Sequence, residues 1–234
     1  WFGKEPVINK ILKFLPSFIL KTLVNSIFGL AIDDKGKFKF SENTKVQYNL
    51  SDMAQDAVSL MNELQIKKAH IIGASMGGMI TQLIALDHSD KVLSITPIMT
   101  TPGIQNDSLS GPTNGLLEAM KKSFVFNLKG KLEDGVVEIY RQLTGSRFPF
   151  NEADFRKKLV PVMAHGNNPF AQHGAAVGAS ADRTNRLSEI KVPTLIIHGT
   201  EDAILPIDHG LALADGIEGS ERLIMDGVGH EIPE

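Results

Sequence analysis

Four short apolar runs, separated by segments of other patterns, constrain the fold of this chain more than any other feature. The runs "KKAHIIGA", "KVLSITPIMTT", "VPTLIIHGT" and "ERLIMDG" have the apolar density of strands that are buried on both faces. Helical patterns lie between them in "MGGMITQLIALDH" and "LALADGI", and ahead of them in "LSDMAQDAVSLMNELQI", where Ser51 is expected to cap the helix. This alternation predicts an α/β fold with a mostly parallel sheet flanked by helices.

The segment between the second and third apolar runs has a different pattern. It contains helical stretches such as "NGLLEAMKKSFVFNL" and "LEDGVVEIYRQLTG" and no buried strand. An all-helical insertion of this length between two core strands predicts a cap. We therefore expect a helical flap in residues 1–46, a core in residues 47–101 and 191–234, and a helical cap in residues 102–190.

Composition narrows the classes of function. The 234 residues are 42% hydrophobic, which is enough for one sizeable globular domain. The formal net charge of −3 gives no basic surface for phosphate backbones, so we expect no nucleic-acid partner. The chain has no cysteine, which excludes disulfides, thiolate metal sites and a cysteine nucleophile. We expect no metal and no cofactor, and the oligomeric state stays open.

The most apolar early segment is "VINKILKFLPSFILKTLVNSIFGLAI", which is interrupted by Lys10, Lys13, Pro16 and Lys21. A bilayer span needs an uninterrupted apolar run, so we expect no stable membrane insertion. The segment is either a pair of amphipathic helices that lies on a lipid surface or a flap that packs on the domain. The flap is favoured because lysines beside apolar faces are ordinary in soluble helices. No signal peptide is visible, and we expect a cytoplasmic protein.

A lone serine stands at the junction between the first apolar run and the helix that follows it. In "IIGASMGGMI", Ser75 lies between Gly73 and Gly77. A tight strand-to-helix turn would expose Ser75 in a strained conformation and would leave no room for side chains two positions before or after it. The spacing matches the Gly-x-Ser-x-Gly nucleophile elbow, in which the amide of the next residue, Met76, faces a developing oxyanion.

Other interpretations of these glycines compete with the elbow. A glycine-containing turn without any chemical function has the same short pattern. A phosphate-binding loop would end in Lys-Ser or Lys-Thr, and a dinucleotide site would have Gly-x-Gly-x-x-Gly spacing, neither of which occurs at this junction. The serine elbow is the interpretation that we adopt.

A serine nucleophile needs a histidine base and a carboxylate that orients the base. The stretches "HGTEDAILP" and "DGVGHEIPE" follow the last two strands, where open α/β sheets place their sites. Asp202 and His230 are the candidates, because they follow Ser75 in the order serine, acid, histidine. We expect His198, at a strand end, to shape the acid loop. The remaining alternatives are the acids Glu201, Asp208 and Asp226 and the histidines His70, His88, His165, His173 and His209.

Together these residues give the chain a resemblance to a known family. The stretches "HIIGASMGGMI", "HGTEDAILP" and "GVGHEIP", preceded by "YNLSDMAQDAVSLMNEL", resemble the α/β-hydrolase fold enzymes. From about Gln47 onward, the layout is similar to bacterial serine carboxylesterases and to the aclacinomycin methylesterase-like branch. The resemblance implies Ser75 as nucleophile, Asp202 as acid and His230 as base, with no cofactor.

The front of the chain departs from the family pattern. The family has several earlier strands, one of which ends in a His-Gly loop that donates a second oxyanion amide, and no His-Gly pair precedes Ser75. At about 30 residues per βαβ unit, we expect roughly 60 or more residues of strand and crossover to be absent, together with the final helix. The shortened sheet would expose a strand edge and apolar surface.

The implied reaction is hydrolysis of carboxylic esters through an acyl-enzyme, with small to medium apolar molecules as substrates. Lactones, thioesters, activated C–C bonds and peracids stay open as substrates, because the same triad serves them. Dehalogenase and epoxide hydrolase chemistry is disfavoured because those relatives carry Asp at the elbow. A second class is a receptor-like scaffold that binds a small ligand with little turnover. An apolar acyl pocket, or alternatively the core of the cap, is expected from Met120, Phe124, Phe126, Phe148, Phe150, Phe155, Met163 and Phe170.

Overall fold

The computed structural model describes residues 15–33, 36, 37, 39, 46, 48–164 and 169–232. Residues 1–14 of the expected flap, His165 and the side chains of Phe170 and His173 lie outside this description. The described helices are α1 (Ser17–Ala31), α2 (Leu50–Glu63), α3 (Met76–Asp87), α4 (Asn114–Leu128), α5 (Leu132–Leu143), α6 (Glu152–Ala164), α7 (Pro169–Gly178) and α8 (Ile207–Gly216). The described strands are β1 (Ala69–Ala74), β2 (Val92–Ile98), β3 (Leu195–Gly199) and β4 (Glu221–Met225).

The four strands form one parallel sheet in the order β1-β2-β3-β4. Ala74 pairs with Ile98 at the end of β1 and β2, Ile98 also pairs with Ile197, and Gly199 pairs with Met225 at the end of β3 and β4. The carboxyl ends of the strands therefore lie along one edge, and the loops that follow them are neighbours. The parallel sheet and its flanking helices confirm the α/β class predicted from the sequence.

The main hydrophobic core lies between the sheet and the helices that cover it. Helix α3 packs on β1 and β2 and also on α2, so that both of its sides are covered. This double burial explains why its sequence, "MGGMITQLIALD", is apolar nearly all round. The core also takes in Leu50, Ile95, Ile196 and Leu213, each no more than 1% exposed. Full burial of one such side chain stabilises the fold by about 1.5–3 kcal/mol.

Helix α2 begins with a capping box. The Asn49 side chain accepts hydrogen bonds from the amides of Ser51 and Asp52, and the Asp52 carboxylate accepts from the Asn49 amide. Reciprocal capping of this kind satisfies amides that a helix start leaves without partners. The expectation that Ser51 caps this helix is therefore wrong, because Asn49 holds that position.

Helices α4 to α7 lie between β2 and β3 and form a helical insertion. Leu20 and Val24 of α1 are buried against Leu128 of α4, so α1 lies on this insertion. Helix α1 also presents Phe18 to solvent at 70% exposure, and β1 exposes Ile72 at 68%. Within the described residues, each helix is too short or too polar to cross a bilayer.

Candidate active site

Ser75 forms the turn between β1 and α3, with a φ of 55° and a ψ of −120°. A left-handed conformation costs a non-glycine residue on the order of 1–3 kcal/mol. The Ser75 amide donates to the Ile98 carbonyl at 2.9 Å, and the Ser75 carbonyl accepts from the Thr100 hydroxyl at 2.7 Å. The Ser75 hydroxyl does not cap α3, which leaves Oγ available to the loops at the carboxyl edge of the sheet.

The two glycines of the motif serve the turn in different ways. A Cβ on Gly73 would lie 2.2 Å from the Gly77 carbonyl oxygen and 2.3 Å from the Thr81 hydroxyl, so glycine is required there. Nothing lies within 4 Å of a Cβ built on Gly77, and the expectation of a steric need at that position is wrong. The crowding falls instead on Gly78, which lies outside the five-residue motif. A Cβ there would lie 2.6 Å from side-chain carbons of Thr100.

His230 and Asp202 meet Ser75 at the carboxyl edge of the sheet. His230 Nε2 lies 3.0 Å from Ser75 Oγ, and His230 Nδ1 lies 2.7 Å from Asp202 Oδ2. A carboxylate only accepts, so the proton of the neutral ring sits on Nδ1 and Nε2 accepts from the serine hydroxyl. The Asp202 side chain is fully buried, and the His230 side chain is 11% exposed. The structure brings these three sequence-predicted residues into one hydrogen-bonded chain.

Backbone contacts hold the loops that carry the acid and the histidine. Asp202 Oδ1 accepts from the amides of Ile204 at 3.0 Å and Leu205 at 2.8 Å. The His230 amide donates to the Leu143 carbonyl at 2.7 Å, which ties the loop after β4 to the end of α5. A Cβ on Gly229 would lie 2.1 Å from that carbonyl oxygen, so this contact requires a glycine before His230, a steric role that the sequence pattern did not indicate.

The competing acids are engaged elsewhere. Both Glu201 carboxylate oxygens accept from Ser146, one from its amide and one from its hydroxyl. Asp208 Oδ2 accepts from the Ser110 amide at 2.6 Å, and Asp226 accepts from a threonine hydroxyl in the loop after β3. Among the candidate acids, Asp202 is hydrogen-bonded to His230.

The other described histidines take different positions. His70 lies on an exposed face of β1 and hydrogen-bonds the Ser94 hydroxyl, and His88 follows the last residue of α3. His198 and His209 are buried, and burial lowers the pKa of each ring from the usual 6.5. Both rings are therefore neutral at neutral pH.

His209 links the start of the helical insertion to α8. His209 Nε2 lies 2.8 Å from the Ser110 carbonyl oxygen, and Nδ1 lies 2.8 Å from the Thr101 hydroxyl. The carbonyl can only accept, so Nε2 donates to it and Nδ1 of the neutral ring accepts from Thr101. No pattern in the sequence indicates this contact, because its partners are more than 90 positions away.

The amide of Met76 is the first of α3. The Gly78 and Met79 amides donate to the Ser75 carbonyl, whereas the first amide of a helix has no acceptor within that helix. The Met76 amide therefore stands beside Ser75 at the positive end of the helix dipole. No group of three or more His, Asp or Glu side chains in the described part of the chain is arranged to hold a metal ion.

Several of the apolar side chains expected to line an acyl pocket take part in packing between helices. Phe150, Phe155 and Met163 pack with buried residues of α5 and α6, and Phe124 packs in the cluster that joins α1 to α4. Phe126 lines a cavity of about 580 Å³ between α1 and α4. For Phe150, Phe155 and Met163, the interpretation as the core of the insertion is the one that fits.

A model of the family described as alpha/beta hydrolase fold matches residues 29–234. The chain belongs to the α/β-hydrolase fold family. A relative, the rhodomycin D methylesterase DauP of Streptomyces sp. (strain C5), is 27% identical over 206 residues, which cover 80% of this chain and 68% of that protein. A 2-hydroxy-6-oxononadienedioate/2-hydroxy-6-oxononatrienedioate hydrolase of Escherichia coli is 31% identical over 186 residues, covering 74% of this chain and 59% of that protein.

Solved structures agree with this α/β-hydrolase fold. The structure of the esterase RhEst1 from Rhodococcus sp. ECU1013 superposes with a TM-score of 0.64 at 15% identity, covering 80% of this chain and 67% of that one. At this level of identity the likeness concerns the fold. This α/β-hydrolase chain thus spans between about three fifths and about two thirds of the length of the relatives named here.

Proposed function

We propose that this α/β-hydrolase chain is a serine hydrolase that cleaves carboxylic esters of small to medium apolar molecules. The observation that carries the proposal is the hydrogen-bonded chain from Ser75 through His230 to Asp202, with the serine held in a strained turn. Ser75 is the nucleophile, His230 the general base and Asp202 the orienting acid of a catalytic triad. The turn at Ser75 is the nucleophile elbow.

The proposed reaction steps follow from the tautomer of His230 and from its hydrogen bond to Ser75. Ser75 Oγ attacks the ester carbonyl carbon while His230 Nε2 takes the hydroxyl proton, and the Asp202 carboxylate stabilises the imidazolium. The Met76 amide, at the start of α3, donates to the oxyanion of the tetrahedral intermediate. His230 then returns the proton to the leaving alkoxide, the alcohol departs, and an acyl group remains on Ser75. A water molecule repeats the sequence in the second half and releases the acid.

Residues 102–190 form the cap of the proposed enzyme and set its substrate range. The cap touches the catalytic loops directly, since the Leu143 carbonyl accepts from the His230 amide and the Gly145 amide donates to Glu231. A change in the packing of α5 therefore reaches His230 through the backbone. The methylesterase relative supports esters as the substrate class.

A second candidate reaction is hydrolysis of a C–C bond beside a carbonyl group, on the same three residues. The observation that favours it is the 31% identity with the Escherichia coli hydrolase, whose name specifies an oxo-dienedioate substrate. Hydrolysis of lactones and thioesters would use the same three residues as hydrolysis of an ester. Rates on p-nitrophenyl butyrate and on a 2-hydroxy-6-oxo-dienoate separate the first two reactions.

The deciding experiment combines turnover with covalent labelling. The protein should hydrolyse p-nitrophenyl butyrate, and a fluorophosphonate should label Ser75, located by peptide mass spectrometry. Ser75→Ala should lose both turnover and labelling. It should keep its thermal unfolding transition, because the serine side chain does not cap α3. Label on another residue, or full turnover by Ser75→Ala, would refute the nucleophile. Labelling without turnover would instead favour a ligand-binding scaffold.

A further inference from the structure

His198 lies at the end of β3, four positions before Asp202, with a fully buried side chain. His198 Nε2 lies 2.8 Å from the Leu205 carbonyl oxygen and 3.5 Å from Asp202 Oδ2. We propose that His198 is a positioning residue, which fixes the Leu205 peptide and thereby keeps the Asp202 carboxylate turned toward His230. This inference rests on the proposed serine hydrolase function.

The surroundings of the ring determine where its proton sits. Both oxygens near Nε2, those of Leu205 and Asp202, can only accept hydrogen bonds. Nδ1 is buried and has no hydrogen-bond partner among the described residues. A neutral ring has one N–H, so that N–H is on Nε2, where it donates to Leu205 and faces the edge of the Asp202 carboxylate.

The backbone of Leu205 forms hydrogen bonds with both Asp202 and His198. The Leu205 amide donates to Asp202 Oδ1 at 2.8 Å, and the carbonyl of the same residue accepts from His198 Nε2. The Leu205 backbone is thus fixed by two hydrogen bonds, one through its amide to Asp202 and one through its carbonyl to His198 of β3. Because Asp202 Oδ1 is committed to the loop amides, Oδ2 is the oxygen left for His230. Loss of the His198 contact frees the loop to turn, and Asp202 turns with it.

The His198 ring packs closely against α8. A Cβ on Gly210 would lie 2.7 Å from His198 Nδ1 and from the ring carbon Cγ, so the backbone of α8 packs directly on the ring. The charged and titratable groups that face His198 are Asp202, Asp208, His209 and His230. Burial outweighs the two carboxylates and lowers the pKa of His198, so the ring stays neutral and does not compete with His230 as a cation beside Asp202.

Three substitutions test the position of the donor. In His198→Gln the side-chain amide reaches the place of Nε2, in His198→Asn it reaches the place of Nδ1, and His198→Leu has no donor. We expect kcat on p-nitrophenyl butyrate to fall on the order of 10²-fold in the Asn and Leu variants, with KM changed less than about threefold, because a misplaced catalytic group costs rate rather than binding. His198→Gln should stay within about tenfold of the wild-type kcat.

A spectroscopic readout separates this proposal from the proposed function. The low-field proton NMR signal of the His230 Nδ1–H, assigned by its loss in His230→Ala, reports the bond to Asp202 without any turnover. We expect the signal to persist in His198→Gln and to shift or broaden in His198→Asn. Equal kcat values and equal signals in these two variants would overturn the positioning role, even if the His198→Leu variant does not fold. If the wild-type protein has no turnover and Ser75 takes no label, the proposed function fails while the NMR comparison still decides the role of His198.

Discussion

At the scale of single residues, the strained backbone of Ser75 depends on a neighbour that the sequence motif does not contain. The Thr100 hydroxyl donates to the Ser75 carbonyl, and the Thr100 side chain occupies the space that a Cβ on Gly78 would need. One threonine in the loop after β2 therefore fixes both the turn and the first helical residues behind it. The steric demand for glycine is set by such packing partners, not by distance from the serine along the chain.

Alanine substitutions at the two motif glycines should have opposite results. Gly73→Ala should lower the free energy of unfolding by about 1–3 kcal/mol, since its methyl group meets the Gly77 carbonyl. Gly77→Ala should leave the free energy of unfolding unchanged or raise it by up to about 1 kcal/mol, since its Cβ meets open space and alanine favours the helix. Urea unfolding measures both. Equal losses in the two variants would show that the turn cannot accept any side chain.

The two adjacent acids allow a matched test of the orienting role. Asp202→Asn should reduce kcat on the order of 10⁴-fold, because an amide can donate to Nδ1 and so favours the wrong tautomer of His230. Glu201→Gln should change kcat less than about threefold, since Glu201 contacts Ser146 rather than the histidine. Steady-state kinetics on p-nitrophenyl butyrate measures both. A loss below about tenfold for Asp202→Asn would move the acid role to another carboxylate.

At the scale of secondary-structure elements, the helical insertion is fixed at its start and its end by one buried arginine. Arg183 is 3% exposed and donates to the Thr101 carbonyl, where the insertion begins, and to the Ala181 carbonyl, where it ends. Its Nε–H donates to Gln82 of α3, and Gln82 in turn donates to Thr101 and to Gly78. Both ends of the insertion are therefore tied to the helix that begins at the serine.

Replacement of this arginine should loosen the insertion as a unit. Burial lowers the pKa of Arg183 to about 10, so the guanidinium is still charged at neutral pH and its contacts persist. Arg183→Leu should lower the free energy of unfolding by about 2–5 kcal/mol, because it leaves the buried side-chain oxygen of Gln82 without its donor and removes one of the donors to the Thr101 carbonyl. Hydrogen exchange should rise around Thr101 and Ala181.

Arg186 provides the matched control for that substitution. It lies three positions further along, has 43% of its side chain exposed, and pairs with Asp87 and Glu189. Exposed ion pairs of this kind contribute about 0–1 kcal/mol. Arg186→Leu should therefore change the urea midpoint little. If the two variants lose the same stability, the buried network does not hold the insertion.

At the scale of the whole molecule, the candidate site joins the ends of strands that are far apart in the sequence. Ser75, Asp202 and His230 were predictable because each follows an apolar strand run, and parallel strands bring such ends together. Contacts that depend on packing between loops leave no such signal. The docking of His230 on Leu143 and the burial of His209 beside Thr101 rest on three-dimensional proximity alone. Periodicity likewise missed Asn49, since several polar residues there are suitable caps.

Two buried neutral histidines make the stability of the molecule depend on pH. Burial lowers the pKa of His198 and of His209 from the usual 6.5. In the unfolded chain both rings take up protons as the pH falls through about 6.5, whereas in the folded protein they stay neutral to a lower pH. At pH values between the lowered pKa values of the folded protein and about 6.5, the unfolded state binds more protons than the folded state. The free energy of unfolding therefore falls as the pH falls.

The pH dependence of urea unfolding tests this linkage. Between about pH 7.5 and pH 5.5 we expect the free energy of unfolding to fall, with a slope of at most about 1.4 kcal/mol per pH unit for each histidine. The double variant His198→Gln and His209→Gln should have a shallower slope over the same window. The two slopes are compared, because the substitutions also change the absolute stability through the lost contacts to Leu205 and Ser110. A double variant with the wild-type slope would mean that other groups cause the loss of stability in acid.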